Sequence, residues 1–235
     1  GGTANGGVDT SASQTFTITV TPVNDVPSFT KGANQTVLED CGSQTVSNWA
    51  TNISAGPANE SSQTLTFTVS ASNTALFSAQ PAITAGGTLT FTPAPDANGS
   101  ATITVTLKDN GGTANGGVDT SASQTFTIAV TPVNDMPAFM NGPDVTVDED
   151  AKTQTILGWA TNISAGPASE AGQQVAFTVA TDNPALFAVQ PSLSPAGTLT
   201  FTPAPNRNGV AHLTVTLTDD GTRGTAALTT PPQFA

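Results

Sequence analysis

The sequence predicts an all-β protein, built as tandem seven-stranded β-sandwiches in a linear array. Three observations lead there. Apolar residues alternate with threonine in short runs, the pattern of strands with one face buried. Gly, Pro, Asn and Ser clusters separate the runs, and no segment carries a 3.6-residue period. The chain also repeats itself: its first eighteen residues recur letter for letter at 111–128, an offset of 111 − 1 = 110. A period of that length means tandem domains, since solenoid repeats are far shorter.

Each strand can be read in turn. "QTFTITV" at 14–20 sends Phe16, Ile18 and Val20 to one face and Thr15, Thr17 and Thr19 to the other. "LTFTV" (65–69), "TLTFT" (88–92) and "ATITVTL" (101–107) follow the same grammar, and 124–130 repeats the first run. Weaker strands are expected near Val37, over Val46 to Ala50, and from Leu76 to Ala79.

The 110-residue offset carries "WATNISAGPA" from 49 to 159 and "FTPAP" from 91 to 201. Residues 26–135 are therefore expected to form the first domain and 136–235 the second. Residues 1–25 read as the last strand of a preceding repeat plus its linker. The second domain reads as lacking its own last strand, because "PPQFA" (231–235) falls where that strand would begin. A fragment of a longer array fits this arrangement. So does strand exchange, in which segment 14–20 of one molecule completes the second domain of the next. Segment 14–20 differs from 124–130 only by Thr19 in place of Ala129. The linkers "TPVNDVP" (21–27) and "TPVNDMP" (131–137) are short and proline-bounded, which limits the angles between domains.

Composition excludes several roles. Seventeen acidic and five basic residues give a net charge of −12, the opposite of the basic footprint that nucleic acid requires. No apolar run is long enough to span a bilayer, so membrane insertion is not expected. The lone cysteine, Cys41, rules out a disulfide framework within the chain and is expected to be a small, at least half-buried filler. His212 falls on the outward face of its strand, and the first repeat has no histidine, so no Ser-His-Asp set can be assembled. Nothing points to an enzyme. Trp49 and Trp159 share one frame and are expected to plug each core. The loop 111–122 reads as long and flexible, with no assigned role.

The acids fall at recurring places. Asn24-Asp25 and Asn134-Asp135 lie in the linkers, Glu39-Asp40 and Glu149-Asp150 close the first strand segment, and Asp109 and Asp219 follow the "TVTL" strands. Glu60 and Glu170 share an "AGPA" context. Asp, Asn and Glu at loops and strand ends are oxygen donors of the kind calcium takes, six to eight at a time, and zinc-type His and Cys sets are missing. The same acids would also cap turns and aid solubility, and spacing leaves both readings open.

"TFTITVTPVNDVP" (15–27), with "VLED" (37–40) and "VDED" (147–150), resembles the strand-and-linker signature of cadherin repeats and of the cadherin-like, immunoglobulin-like repeats of large bacterial surface proteins. "FTPAPDANGSATITVTLKDNGG" (91–112) is similar to the bacterial version. The resemblance covers both repeats. It implies Greek-key sandwiches with calcium at the junction of successive domains. Carried over, the complete junction would use Glu39, Asp96 and Asn98 from the first domain, Asn134 and Asp135 from the linker, and Asp219 from the second. Asn24, Asp25 and Asp109 would form a half-site, and Glu149 with Asn206 would await a further domain or a neighbouring molecule. The cadherin Asp-x-Asp after the second strand is replaced by "ATNIS" (50–54), and "DAN" (96–98) stands for Asp-Arg-Glu, so one ion per junction is expected. The implied function is a calcium-stiffened extender of an extracellular adhesin or fibre. Its partners are neighbouring repeats or identical subunits head to tail. The alternative is a carbohydrate- or protein-binding module.

Overall fold

The computed structural model describes residues 2–221 and 233–234. The first repeat comprises nine strand segments: β1 (Ser28–Thr30), β2 (Gln35–Leu38), β3 (Gln44–Val46), β4 (Thr51–Ser54), β5 (Thr66–Ala71), β6 (Phe77–Ile83), β7 (Leu89–Pro93), β8 (Gly99–Lys108) and β9 (Gln124–Thr131). One sheet runs β2-β9-β8-β5, a second runs β3-β7-β6, and β1 pairs with β4. The segment count exceeds seven because the first strand is broken into β1 and β2, and because 51–54 turns aside to pair with β1. Every ladder of this repeat is antiparallel except β2–β9, which is parallel from Gln35↔Ile128 to Leu38↔Thr131.

The threonine alternation explains the packing. Along β8, Ala101, Ile103, Val105 and Leu107 are buried, while Thr102 between them is exposed. β9 inserts Phe126, Ile128 and Val130 from the same sheet. Leu89 and Phe91 of β7 close the core from the opposite sheet. Trp49 is buried against Phe126, ring centroids 4.3 Å apart, and its Nε1–H donates to the Ala33 carbonyl at 2.9 Å. Gly32 is obligatory beside it, since any side chain there would overlap the Trp49 carbonyl and ring.

The second repeat repeats this plan with β10 (Ala138–Met140), β11 (Gln154–Ile156), β12 (Thr161–Ser164), β13 (Val175–Thr181), β14 (Phe187–Leu193), β15 (Leu199–Pro203), β16 (Leu213–Asp219) and β17 (Gln233–Phe234). Its sheets run β13-β16-β17 and β11-β15-β14, with β10 paired to β12. Trp159 takes the place of Trp49 and donates to the Pro143 carbonyl at 3.0 Å. Of "PPQFA", residues 231, 232 and 235 lie outside the described residues. Gln233 pairs with Val215 as Gln124 pairs with Val105, so β17 holds the register in which β9 begins. Residues 145–148, the counterpart of β2, form no strand. In the first repeat that strand pairs only with β9.

Segment 14–20 makes no ladder among the described residues. Its apolar row is open to solvent: Phe16, Ile18 and Val20 are 86%, 76% and 88% exposed. Cys41, expected at least half-buried, is exposed, since it sits in the turn after β2 rather than on a core-facing strand.

Candidate metal centre

The two "TPVND" linkers are held by the same bonds. Asn24 Nδ2–H donates to Asp109 Oδ1 at 3.0 Å and to the Val118 carbonyl at 2.8 Å. Its Oδ1 accepts from Gln63 Nε2 at 2.8 Å, and the Asp25 amide donates to Glu60 Oε1 at 3.0 Å. In the second linker Asn134 donates to Asp219 at 3.0 Å and accepts from Gln173 at 2.9 Å, while the Asp135 amide donates to Glu170 at 3.1 Å. Each Asn-Asp pair thus belongs mechanically to the repeat that follows it. Asn134, Asp109, Asp219, Glu60 and Glu170 are all buried. Gly111 and Gly221 leave room for the Asn side chains, which a Cβ at either position would strike.

The loop 111–122, expected to be flexible, grips the first of these linkers. The Val118 amide donates to the Asn24 carbonyl at 3.0 Å, the Asp109 amide donates to the Asp119 carbonyl at 3.0 Å, and Lys108 Nζ lies 3.2 Å from Asp119. Hydrogen bonds from Thr120 and Lys108 hold the Asp119 carboxyl below the usual aspartate range.

The first repeat meets the second linker through Glu39. This buried carboxylate accepts from the Val133 amide at 2.6 Å and from Asn98 Nδ2 at 3.1 Å. Asp40 follows at positive φ (58°) and accepts from the amide of Asp96, itself at φ 54°, at 3.2 Å. Both adopt the left-handed conformation that Asp tolerates better than most residues. Carboxylate oxygens of Asp40, Asp96 and Asp135 lie within 4.8 Å of one another. Burial, then the carboxylates of Glu170, Asp96, Asp40 and Glu39, push the Asp135 carboxyl above its ordinary value. All donors are oxygens, as a hard divalent cation requires.

The residues expected at the junction therefore fall into two layers. Asp96 and Asp135 come together on the surface, joined by Asp40. Glu39 and Asn98 brace the linker beneath them. Asn134 and Asp219 bind each other inside the second repeat, as Asn24 and Asp109 do in the first. Asp25 is exposed and joins no cluster of three acids among the described residues. At the far end Glu149 is exposed, and Asp150 accepts from the Asn206 amide at 2.9 Å, as Asp40 does from Asp96. Asp40 and Glu170 stand among the recurring acids in the sequence but were not assigned to the junction, and Gln173 was not singled out. The signal for them was their exact recurrence or equivalence at the 110-residue offset.

Residues 134–230 match the family described as Bacterial Ig domain. Segments of the matched stretch recur in the first repeat at the 110-residue offset, "WATNISAGPA" at 49 and 159 and "FTPAP" at 91 and 201. No curated protein matches the chain. Among solved structures, human protocadherin-24 EC1-2 is 16% identical, with 90% of this chain and 96% of that chain covered at a TM-score of 0.46. Mouse protocadherin-24 EC1-3 is 13% identical, with 89% and 69% covered at 0.45. A SusE-like surface-located polysaccharide-binding protein of Bacteroides thetaiotaomicron is 12% identical, with 86% and 87% covered at 0.28.

Proposed function

We propose that the chain is a non-catalytic structural extender of an extracellular bacterial surface protein, stiffened at its inter-repeat joint by a calcium ion. The observation that carries this reading is the meeting of Asp40, Asp96 and Asp135: two loops of the first repeat and the linker clamped to the second point oxygens at one place. Without a cation, like charges crowd the joint and favour splaying. A bound calcium ion would turn the same oxygens into ligands and join the two bodies. Glu39 supports the reading from below, because its bond to the Val133 amide fixes where the linker leaves β9. Head-to-tail joining of copies through segment 14–20 extends the same role. Its support is the exposed apolar row of that segment.

The test is thermal unfolding of the chain in calcium and in chelator. The reading expects a higher melting temperature in calcium, and loss of that difference in Asp96→Asn. Equal melting temperatures in the two conditions would remove calcium from the account.

A further inference from the structure

Two buried glutamates, one from each repeat, take alternate amides of the same linker. Glu39 Oε1 accepts from the Val133 amide at 2.6 Å, and Glu170 accepts from the Asp135 amide at 3.1 Å and 3.2 Å. Glu39 is also tied down by its backbone, which donates to the Thr131 carbonyl at 2.9 Å. Its second carboxylate oxygen accepts from Asn98 Nδ2 at 3.1 Å. Val133, Glu39 and Asn98 therefore form one hydrogen-bonded triad.

Each member of that triad stands next to one acid of the surface cluster. Asp40 follows Glu39 directly, Asp96 precedes Asn98 by two residues, and Asp135 follows Val133 by two (98 − 96 = 135 − 133 = 2). The cluster acids are on the outside: Asp40 and Asp96 are exposed and Asp135 is half-buried. Glu39 is buried and joins no group of three acids among the described residues.

We infer that Glu39 and Asn98 are positioning residues of the proposed calcium site and not its ligands: the triad holds Asp40, Asp96 and Asp135 at the spacing the ion requires. The inference rests on the calcium reading above and departs from the ligand set carried over by resemblance, in which both residues touch the ion. Both oxygens of Glu39 already hold N–H donors, in charge-assisted bonds of the strong kind. Turning them to an ion would release Val133 and, with it, the backbone that presents Asp135. Partners behind the ligands of a metal fix their orientation, and removing one typically costs about 10–100-fold in affinity.

The two roles predict opposite signs for one substitution. Asn98→Asp adds a carboxylate. At a ligand position it would tighten calcium binding, because affinity follows the charge of the ligand set. Within the triad it sets two carboxylates against each other where a hydrogen bond was, and opens the bracket. Glu39→Gln is the complementary change. It keeps an oxygen for the Val133 amide and gives an N–H to Asn98, whose carboxamide serves as acceptor once turned over. Burial raises the Asp135 carboxyl most, followed by Glu170, Asp96, Asp40 and, least, Glu39, so neutralising Glu39 alone changes the field at the cluster little.

The experiment titrates calcium into the full chain by calorimetry, with Asp40→Asn as the reference for a lost ligand. The melting temperature in chelator is recorded for every variant, which separates loss of fold from loss of affinity. Glu39→Gln is expected to bind calcium as the parent does. Asn98→Asp is expected to bind about tenfold more weakly. The double variant Glu39→Gln/Asn98→Asp is expected to recover parental affinity, because the new amide donates to the new carboxylate and the net charge equals the parent's. Tighter binding in Asn98→Asp would make position 98 a ligand and overturn the inference. So would a Glu39→Gln chain that loses calcium as Asp40→Asn does, and either result would leave the calcium site itself standing. Variants that shift only the melting temperature in chelator, with calcium affinity unmoved, would also overturn it. A parent chain that binds no calcium would overturn both the inference and the reading beneath it.

Discussion

Asn134 donates to the buried Asp219 carboxylate at 3.0 Å, and Asn24 makes the same bond to Asp109 at the same distance. The linker asparagine is thus a plug, closing the end of the repeat that follows it. Asn134→Ala would take the acceptor from Gln173 and leave the buried Asp219 carboxylate with the Gly221 amide but without its side-chain donor. It is expected to cost about 1–3 kcal/mol, the penalty for stranding a buried polar group. Urea unfolding of the second repeat checks it. Gly221→Ala should reproduce the lesion, because its Cβ would strike Asn134.

Asp135 should change sign with calcium. In chelator, Asp135→Asn removes one of the crowded carboxylates and is expected to raise the melting temperature. In calcium it removes a ligand and is expected to lower the temperature. Calcium at a hundred times its dissociation constant would stabilise the chain by about 2.7 kcal/mol. For a chain of this size that is roughly 5–10 °C, at about 2–4 °C for each kcal/mol. Asp40→Asn is expected to abolish the calcium gain as fully as Asp96→Asn.

Acidification tests the same carboxylate without metal. The folded protein holds the Asp135 proton more tightly than the unfolded chain does, because burial and neighbouring carboxylates raise its pKa. Its contribution in chelator is therefore fully present below the ordinary value of 3.8, and is lost as pH rises through the raised value. Subtracting the pH profile of Asp135→Asn from that of the parent chain isolates this slope. A difference that rises with pH over that window would contradict the crowding described for the joint.

The two repeats should melt separately. Among the described residues, the first has β9 across its core and the second has the two residues of β17 in that position. Calorimetry is expected to show a less stable second repeat. Phe126→Ala should lower the upper transition alone, by about 3–5 kcal/mol for loss of a buried phenylalanine.

Much of the fold was legible because threonine marks the solvent face with unusual regularity. The apolar faces of β8 and β9 could be assigned letter by letter. The break between β1 and β2 was not, since it depends on which sheet each half joins, a long-range matter that local pattern does not encode. The site was legible in part. Carboxylates at Asp96 and Asp135 could be placed at the joint from their motifs. Asp40 could not be preferred to Glu39, because adjacent residues point to opposite sides of a strand end and only the turn at positive φ decides which reaches the surface. Asn134 and Asp219 look like ligands in a list of oxygen donors. Their mutual hydrogen bond appears only when the chain closes the 85 residues between them.

The parallel pairing of β2 and β9 has a mechanical consequence. Tension on a tandem array enters the first repeat at its amino-terminal end and leaves through Thr131 into the linker. Because the two strands run the same way, that pull drags them in opposite directions along a shared axis. The bonds from Gln35↔Ile128 to Leu38↔Thr131 are loaded together in shear, rather than unzipped one after another. Resistance to pulling thus resides in a four-residue clasp, and Glu39, whose amide donates to the Thr131 carbonyl and whose carboxylate takes the Val133 amide, fastens its loaded end.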